Sequence, residues 1–517
     1  MRNAAQDDRS PRGALACAVL SAALAALAMA PIVGAGFHPE DSGWLALARL
    51  QHSPWPLLTQ NIDFLYFYRP VPLLLWWLTA HLFGASATWH NATDLLLHAL
   101  NAALVCVLAT RLSGERLPGL IAGIVFAALP AGAGTAAWMS DRFDPVALLF
   151  SLSALIAFDA ALAGRRSPWW AGAWLLLALL SKEVAYAVAA LLLAWIALRA
   201  WTRREWPLRL GVPIVLTCTV ALALRMLTAT TTTVLELGDP LQTFAAGVGG
   251  WWRRAPAALS GFQSQSLAWP LLAGVILALA AAAAVRGRKR KHGPALAGCG
   301  AALLALPSLM QWPITALTLT HDDGFAFTEN LRFYYLASAG LALLAGAACA
   351  NARAWRVSAV AACAVLTLCG LTQTHGLIQR WAHTWRPQSN AVQRLGDELS
   401  ARDFPRDCRI ALEAPDWPAF APHADTIVKA IAAPDAPVQS CAVFAGAPTY
   451  QSYVPAEACE AARWPGLPLA QTPGLVSLQT LGSVCIARFA VWKPDQLGTP
   501  LFRFRVDSDG HAQEIHD

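Results

Sequence analysis

The sequence predicts an all-α polytopic membrane domain, with about eleven transmembrane helices plus a re-entrant or interfacial helix, and a small C-terminal α/β domain. Three observations predict this fold class. The 517 residues are 56% hydrophobic and only 14% charged, with a mean hydropathy of +0.44. Apolar runs of membrane-spanning length recur up to residue 376 and then stop. From residue 386 onward, prolines, aspartates and mixed polar residues take their place.

The predicted membrane domain, residues 1–380, is built from apolar runs that can cross about 30 Å of hydrocarbon. These runs, about eleven in number, are roughly 14–36, 92–111, 118–134, 143–163, 168–181, 184–200, 210–228, 268–285, 294–317, 331–350 and 357–376. The first could be mistaken for a signal peptide, but Pro31 and its length favour a retained span. The run 70–83 is too short to cross and predicts an interfacial or re-entrant helix.

Orientation follows from the basic residues, which lie in alternate loops as cytoplasmic anchors do. They are Arg2, Arg9, Arg12, Arg111, Arg116, Arg165, Arg166 and the segments 199–209, 286–292 and 351–356. This pattern predicts a bacterial inner-membrane protein with a cytoplasmic N-terminus and a periplasmic C-terminal domain. The net charge of +6 comes from these short runs and not from one basic face, which argues against nucleic acid as a partner.

The C-terminal domain, residues 386–517, is predicted to combine strands and helices. Residues 408–414 and 483–492 have the pattern of strands, 423–433 that of a helix, and 506–510 that of a turn. This region contains Cys408, Cys441, Cys459 and Cys485. In an oxidising compartment they predict two disulfides, with three pairings open.

Charged and aromatic residues gather in the loops on the predicted outer face. These loops are 38–44, 63–70, 138–145, 181–183, 229–267 and 320–335. Because charges are costly in hydrocarbon, their restriction to one face predicts a single outer pocket. Within 229–267, Trp251 and Trp252 beside Arg253 and Arg254 suggest an interfacial helix, with a lid over a lipid as the alternative.

Several motifs in a fixed order carry a family resemblance. They are "PED" (39–41), "YRP" (68–70), "WHNATDLLLHALN" (89–101), "FAALPAGAGTAAWMSDRFDPVALLF" (126–150), "ALLSKE" (178–183) and "ENLRFYYLASAG" (329–340). Over roughly residues 10 to 376 the chain resembles the GT-C glycosyltransferases. It is most similar to the protein O-mannosyltransferase branch, which uses polyprenyl-phosphate sugars. The resemblance implies a glycosyltransferase that moves a sugar from a lipid-linked donor to a periplasmic protein, lipid or glycan.

Such a transfer requires a carboxylate to accept the acceptor hydroxyl's proton and cations to stabilise the departing phosphate. The resemblance implies that Asp41 is this base and that Glu40 assists it or binds a metal. The candidate phosphate ligands are Arg69, Arg142, Arg332 and Lys182. The supporting residues are Asp63, Tyr68, Asp141, Asp144, Glu183, Glu329 and Tyr335. An inverting displacement is what the family implies.

Each assignment has a structural alternative. Asp41 or Ser42 has the position of a cap for a helix beginning at Gly43. For three other sets of residues, the alternative is a structural ion pair with no role in catalysis. The sets are Asp63 with Arg69, Arg142 with Asp141 and Asp144, and Glu329 with Arg332. Lys182 and Glu183 are adjacent and so predict separate partners.

No cofactor is predicted, although residues 321–323, "HDD", with the acidic pair have the hard oxygen ligands that Mg²⁺ or Mn²⁺ prefers. Two other function classes remain. A membrane scaffold or sensor presenting a periplasmic domain would tolerate loss of the outer-face acids. A transporter is disfavoured because neither midplane charges nor repeated topology is evident.

Overall fold

The computed structural model describes residues 11–60, 62, 68–204, 208–228, 239–260, 274, 293–313, 330–350, 356–406, 408–416, 421–445, 450–460, 463–464, 467–468, 474–489 and 501–515. The chain divides into two compact units. Unit 1 comprises residues 1–32, 92–227 and 232–380, and unit 2 comprises 33–91, 228–231 and 381–517. The predicted domains, 1–380 and 386–517, stay a prediction, and residues 33–91 share unit 2 with the C-terminal residues.

Most of the described chain is helical. The helices are α1 Pro11–Met29, α2 Pro39–Leu50, α3 Trp55–Thr59, α4 Pro70–Phe83, α5 Ala87–Ser113, α6 Arg116–Ala128, α7 Pro130–Ala136, α8 Phe143–Leu162, α9 Trp169–Leu179, α10 Tyr186–Arg203, α11 Leu208–Thr228, α12 Pro240–Ser260, α13 Gly293–Met310, α14 Tyr335–Cys349, α15 Arg356–Ser400, α16 Ala424–Ile431 and α17 Glu457–Glu460. Short 3₁₀ turns occur at Ala30–Gly34, Met139–Asp141, Glu183–Ala185, Leu331–Tyr334, Ala421–His423 and Pro437–Ser440.

The helices confirm a multi-pass membrane fold. Among the described residues, seven helices are long and apolar enough to cross a bilayer, or eight if α6 and α7 form one span bent by 55°. The bend falls at Pro130, whose ring cannot continue the hydrogen-bond ladder of α6. Two other predicted spans correspond to the shorter apolar helices α9 and Pro294–Met310, and the predicted span 268–285 lies outside the described residues except for residue 274.

Small residues allow the helices of unit 1 to pack closely. A Cβ atom built on Gly340 of α14 would lie only 2.7 Å from the carbonyl oxygen of Gly300 on α13. Such contacts are typical of membrane helices, where close backbone approach supplies much of the packing energy. The short helix α4 spans 14 residues, as the run 70–83 predicts.

Unit 2 contains the strands. They are β1 Arg409–Glu413, β2 Ala442–Phe444, β3 Tyr450–Pro455, β4 Arg463–Trp464, β5 Leu467–Pro468, β6 Leu475–Leu481, β7 Val484–Phe489, β8 Leu501–Val506 and β9 Ala512–Glu514. One sheet has the order β2-β1-β8-β9, with β1 parallel to both neighbours, and a second has the antiparallel order β3-β7-β6. Helix α16 connects β1 to β2, which confirms the predicted α/β character.

The C-terminal elements agree with the sequence patterns. Strands β1 and β7 and helix α16 fall inside the predicted ranges, and a turn containing Gly510, φ 91°, joins β8 to β9. The four cysteines form two disulfides, Cys408–Cys441 and Cys459–Cys485, which selects one of the three pairings. The C-terminal elements are therefore joined by two disulfide crosslinks as well as by strand pairing.

Candidate functional site

The acidic pair lies in the first turn of α2, which we call the carboxylate turn, residues 38–42. The backbone N–H of His38 donates to Oδ2 of Asp41 at 2.8 Å, and the N–H of Glu40 donates to Nδ1 of His38 at 3.3 Å. This reciprocal pair is a capping box, and it satisfies two donors that a helix start leaves open. The helix therefore begins at Pro39, and the expectation of a start at Gly43 is wrong because the cap is His38.

The two carboxylates of this turn have different surroundings. Asp41 is fully buried, with a relative exposure of 0%, and one of its oxygens serves the cap. Glu40 is exposed to solvent, and no described residue forms a salt bridge with it. A carboxylate must be within hydrogen-bond reach of a substrate hydroxyl to accept its proton. Of the two carboxylates, only that of Glu40 is open to solvent.

Sequence reasoning missed His38 as a member of this site. Its ring stacks on Trp381 with centroids 5.4 Å apart and meets Trp385 edge-on at 4.6 Å. The position directly before Pro-Glu-Asp was the available signal, because a helix often starts with a polar residue followed by proline. His38 thus fixes the start of α2 through both its backbone and its ring.

Helix α2 is held by elements of the C-terminal sequence within unit 2. The hydroxyl of Ser42 lies 3.0 Å from that of Thr426 on α16. At the other end of α2, the hydroxyl of Ser483 donates to the carbonyl oxygen of Leu50 at 2.7 Å. Gln51 donates to the carbonyl oxygen of Leu481 at 2.5 Å. The start of α2 is therefore fixed by α16, and its end is fixed by the β6–β7 turn.

The other candidates in unit 2 are only partly described. Arg69 is half-buried at the N-cap of α4, and Tyr68 is buried with its hydroxyl donating to the carbonyl oxygen of Leu58. Asp63 lies outside the described residues. The proposed pairing of Asp63 with Arg69 stays a prediction.

The remaining candidates lie in unit 1, where they form a set that we call the span-end charge cluster: Asp94, Asp141, Arg142, Asp144, Lys182 and Arg332. Arg142 forms a bidentate pair with Asp94, Nε to Oδ1 at 2.7 Å and Nη2 to Oδ2 at 3.1 Å. Both side chains are fully buried. Two charge-assisted hydrogen bonds offset the cost of removing these charges from water.

Asp94 is a second residue that sequence reasoning missed. It lies in α5, in the motif "WHNATDLLLHALN", one of those that carry the family resemblance. An aspartate inside an apolar helix was the available signal, because such residues require a partner. Its partner Arg142 follows a 3₁₀ turn at the start of α8.

Lys182 is buried between two acids of the cluster. Its Nζ lies 3.3 Å from Oδ1 of Asp141 and contacts a carboxylate oxygen of Asp144. The adjacent Glu183 pairs with Arg225 on α11, so the two residues have separate partners, as their spacing predicts. The cations of Lys182 and Arg142 are thus already balanced by carboxylates.

Arg332 has a different environment from the other cations of the cluster. Its guanidinium carbon lies 4.3 Å from the ring centroid of Trp138 and 5.0 Å from that of Phe333. No described carboxylate forms a salt bridge with it, and its Nε has no hydrogen-bond partner among the described residues. A guanidinium group is weakly hydrated and stacks favourably on aromatic rings. Stacking uses the face of the group, so the N–H donors at its edge can bind a phosphate.

Tyr335 is buried within unit 1. Its hydroxyl lies 2.9 Å from Nδ1 of His98 and accepts from Nδ2 of Asn101 at 3.2 Å. The predicted partner of Arg332, Glu329, lies outside the described residues. So does the acidic motif 321–323, and no group of three or more His, Cys, Asp or Glu side chains within the described ranges is arranged to hold a metal.

The structure brings together the predicted residues within each unit. Arg142, Asp141, Asp144, Lys182 and Arg332 share the span-end charge cluster, whereas Glu40 and Asp41 belong to the carboxylate turn of unit 2. A single pocket that contains both sets stays a prediction.

Comparison with known proteins finds no matching family model and no matching curated protein. Among solved structures, the chain is similar to ArnT from Cupriavidus metallidurans bound to undecaprenyl phosphate, with 14% identity, 91% of this chain and 97% of that chain covered, and a TM-score of 0.45. It is also similar to the oligosaccharyltransferase AglB from Archaeoglobus fulgidus in complex with an inhibitory peptide and a dolichol-phosphate, with 13% identity, coverages of 91% and 74%, and a TM-score of 0.43. Similarity at this level supports no conclusion about activity.

Proposed function

We propose that this chain is an inner-membrane glycosyltransferase that moves a sugar from a polyprenyl-phosphate-linked donor to an acceptor on the periplasmic side. The observation that carries the proposal is the carboxylate turn, in which Glu40 is exposed and a capping box fixes the start of the helix. In the sequence, this turn follows shortly after the first apolar helix. The order of the motifs from 39 to 335, described above, gives it further support. The acceptor is a protein, a lipid or a glycan.

In the proposed reaction, the acceptor hydroxyl oxygen attacks the anomeric carbon of the donor sugar. Its proton passes to the Glu40 carboxylate, and the bond from the anomeric carbon to the phosphate oxygen breaks. The electron pair of that bond leaves with the lipid phosphate. Attack opposite the departing phosphate inverts the configuration, as the family resemblance implies.

Glu40 replaces Asp41 as the proposed base because of their different exposure. Asp41 is buried and serves the cap, so we assign it the positioning of its neighbour. This division of roles predicts that substitution of Glu40 affects the reaction and leaves the fold unchanged. Substitution of Asp41 should affect the fold first.

Arg332 is the proposed cation for the departing phosphate. It forms no salt bridge with a described carboxylate, whereas Arg142 and Lys182 are paired with acids and are proposed to shape the cluster. Positioned donors stabilise developing charge without reorganisation in the transition state. Arg69 remains a second candidate from unit 2.

The test compares envelope glycans in cells that lack this protein and carry wild-type or variant copies. Glu40→Gln should abolish the glycan product, while Glu457→Gln, which alters an exposed glutamate in α17 of the same unit, should restore it. Product loss with Asp41→Asn but not with Glu40→Gln, at wild-type thermal stability and protein level, would return the base role to Asp41. Normal product from both acid variants would refute the transferase and favour a scaffold.

A further inference from the structure

A groove of about 490 Å³ on unit 1 lies between α5, α8 and α9. The lining side chains include Arg111, Arg166 and Trp170 at one end and Leu104, Ile156 and Trp174 further along. None of the residues in the span-end charge cluster lines this groove. The groove is therefore a separate feature from the candidate site described above.

The groove has a basic, aromatic end and an apolar body. Seven residues of α5 separate Leu104 from Arg111, a rise of about 10 Å. On α9, Trp174 lies one helical turn from Trp170, which also leads from the basic end toward the apolar body of the groove. Trp170 is 53% exposed, an exposure typical of indoles at the membrane–water boundary. This arrangement matches a lipid, with its headgroup at the arginines and its acyl chain along the body.

The basic end of the groove has a net positive charge. Asp159 accepts from Nε of Arg111 at 2.9 Å and from Nη2 of Arg165 at 3.4 Å. Arg166 is exposed and forms no salt bridge with a described acid, so three arginines face one aspartate. Nη2 of Arg111 has no hydrogen-bond partner among the described residues. The end therefore offers donors and a net positive charge to an anionic headgroup.

We propose that this groove binds an anionic phospholipid, with its phosphate on Arg111 and Arg166 and one acyl chain against Leu104, Ile156 and Trp174. Basic pockets between membrane helices on the cytoplasmic side are suited to anionic headgroups, and each arginine near the surface adds to the binding energy. The apolar body is common to all phospholipids, so the arginines supply the selectivity. The site is independent of the glycosyltransferase proposal.

The test is native mass spectrometry of the full-length protein in detergent, with added phosphatidylglycerol or phosphatidylcholine of identical chains. Wild type should retain the glycerol lipid in preference to the choline lipid. The double variant Arg111→Gln/Arg166→Gln should lower this preference about thirtyfold, because two headgroup cations are lost. Ser153→Phe fills the groove body and should reduce retention of both lipids.

Two controls keep the result specific. Arg166→Gln alone leaves the Arg111–Asp159 pair intact and should still lower the preference, so a folding defect of the double variant does not decide the test. Arg204→Gln/Arg209→Gln removes two exposed arginines, one at the end of α10 and one at the start of α11, and should retain the wild-type preference. Equal retention of the two lipids by wild type, or an equal loss with the Arg204/Arg209 control, would overturn the proposal.

Discussion

At the scale of single residues, the neighbouring acids Glu40 and Asp41 show how local structure divides their roles. Residues at successive helix positions point in different directions, about 100° apart. The first-turn geometry turns Asp41 back to the His38 N–H, and this leaves Glu40 in solvent. The capping bond and the burial of Asp41 therefore distinguish the two acids.

We expect Asp41→Ala to lower the free energy of unfolding by about 1 kcal/mol, the usual cost of losing a helix cap. Glu40→Ala should change it by less than about 0.5 kcal/mol, as substitutions of exposed residues do. Thermal unfolding of the two purified variants in the same detergent measures the difference. An equal loss of stability would show that the cap does not distinguish the acids.

The buried pair of Arg142 and Asp94 predicts a non-additive response. Arg142→Met alone should cost about 3–5 kcal/mol, because it leaves Asp94 charged and buried. The double variant Asp94→Leu/Arg142→Met should recover most of this loss, since no unpaired charge remains. A double-mutant cycle by thermal unfolding measures the coupling, and additive losses would contradict it.

His423 gives unit 2 a pH-dependent stability. Burial lowers the pKa of His423 to about 4, and the nearby His38 lowers it further in the same direction. In the unfolded chain the pKa is about 6.5, so between pH 6.5 and 4 the unfolded state binds more protons. Stability should therefore fall as the pH drops through this window.

We expect the melting temperature of wild type to decrease from pH 6.5 to pH 4 by more than that of His423→Asn. Differential scanning fluorimetry at both pH values measures the two decreases. Equal decreases would mean that other groups cause the acid sensitivity.

At the scale of elements, the turn between β6 and β7 is fitted to the end of α2. Gly482 in this turn has φ +56°, and a Cβ atom on it would lie 2.5 Å from Cγ of Pro56. The neighbouring Ser483 bonds to Leu50 and Gln51. The turn thus requires glycine both for its backbone and for its close approach.

We expect Gly482→Ala to displace the end of α2, lowering both thermal stability and the rate of glycan formation. Gly84→Ala is the matched control, because Gly84 also has φ +56° but has no atom within 4 Å of its Cβ position. Gly84→Ala therefore places a side chain at a positive φ without a steric clash with a neighbouring residue. If both variants lose the same activity, strain explains the loss and the contact with α2 does not.

At the scale of the whole molecule, composition and hydropathy predict the membrane fold and the C-terminal strands correctly. These features are local, since an apolar run or an alternating pattern specifies its own element. The disulfide pairing was not predictable, because it depends on which strands become neighbours. The different exposure of Glu40 and Asp41 depends on a cap that a sequence pattern only suggests.

Long-range partners account for the rest of what the sequence did not predict. The pairing of Asp94 with Arg142 joins residues 48 positions apart. The attachment of Gln51 to Leu481 spans 430 positions, and no periodicity indicates it. Residues 33–91 therefore belong with the C-terminal residues in unit 2, which a reading along the chain does not indicate.

The proposed reaction requires the Glu40 carboxylate and the Arg332 guanidinium to reach the same donor sugar phosphate, and crosslinking tests this requirement. The pair Glu40→Cys/Arg332→Cys, in a background without the non-disulfide cysteines, is treated with a short bis-maleimide in membranes. We expect an intramolecular crosslink, which added polyprenyl-phosphate donor slows. If no crosslink forms while each cysteine alone reacts with a monofunctional maleimide, Glu40 and Arg332 do not serve the same reaction.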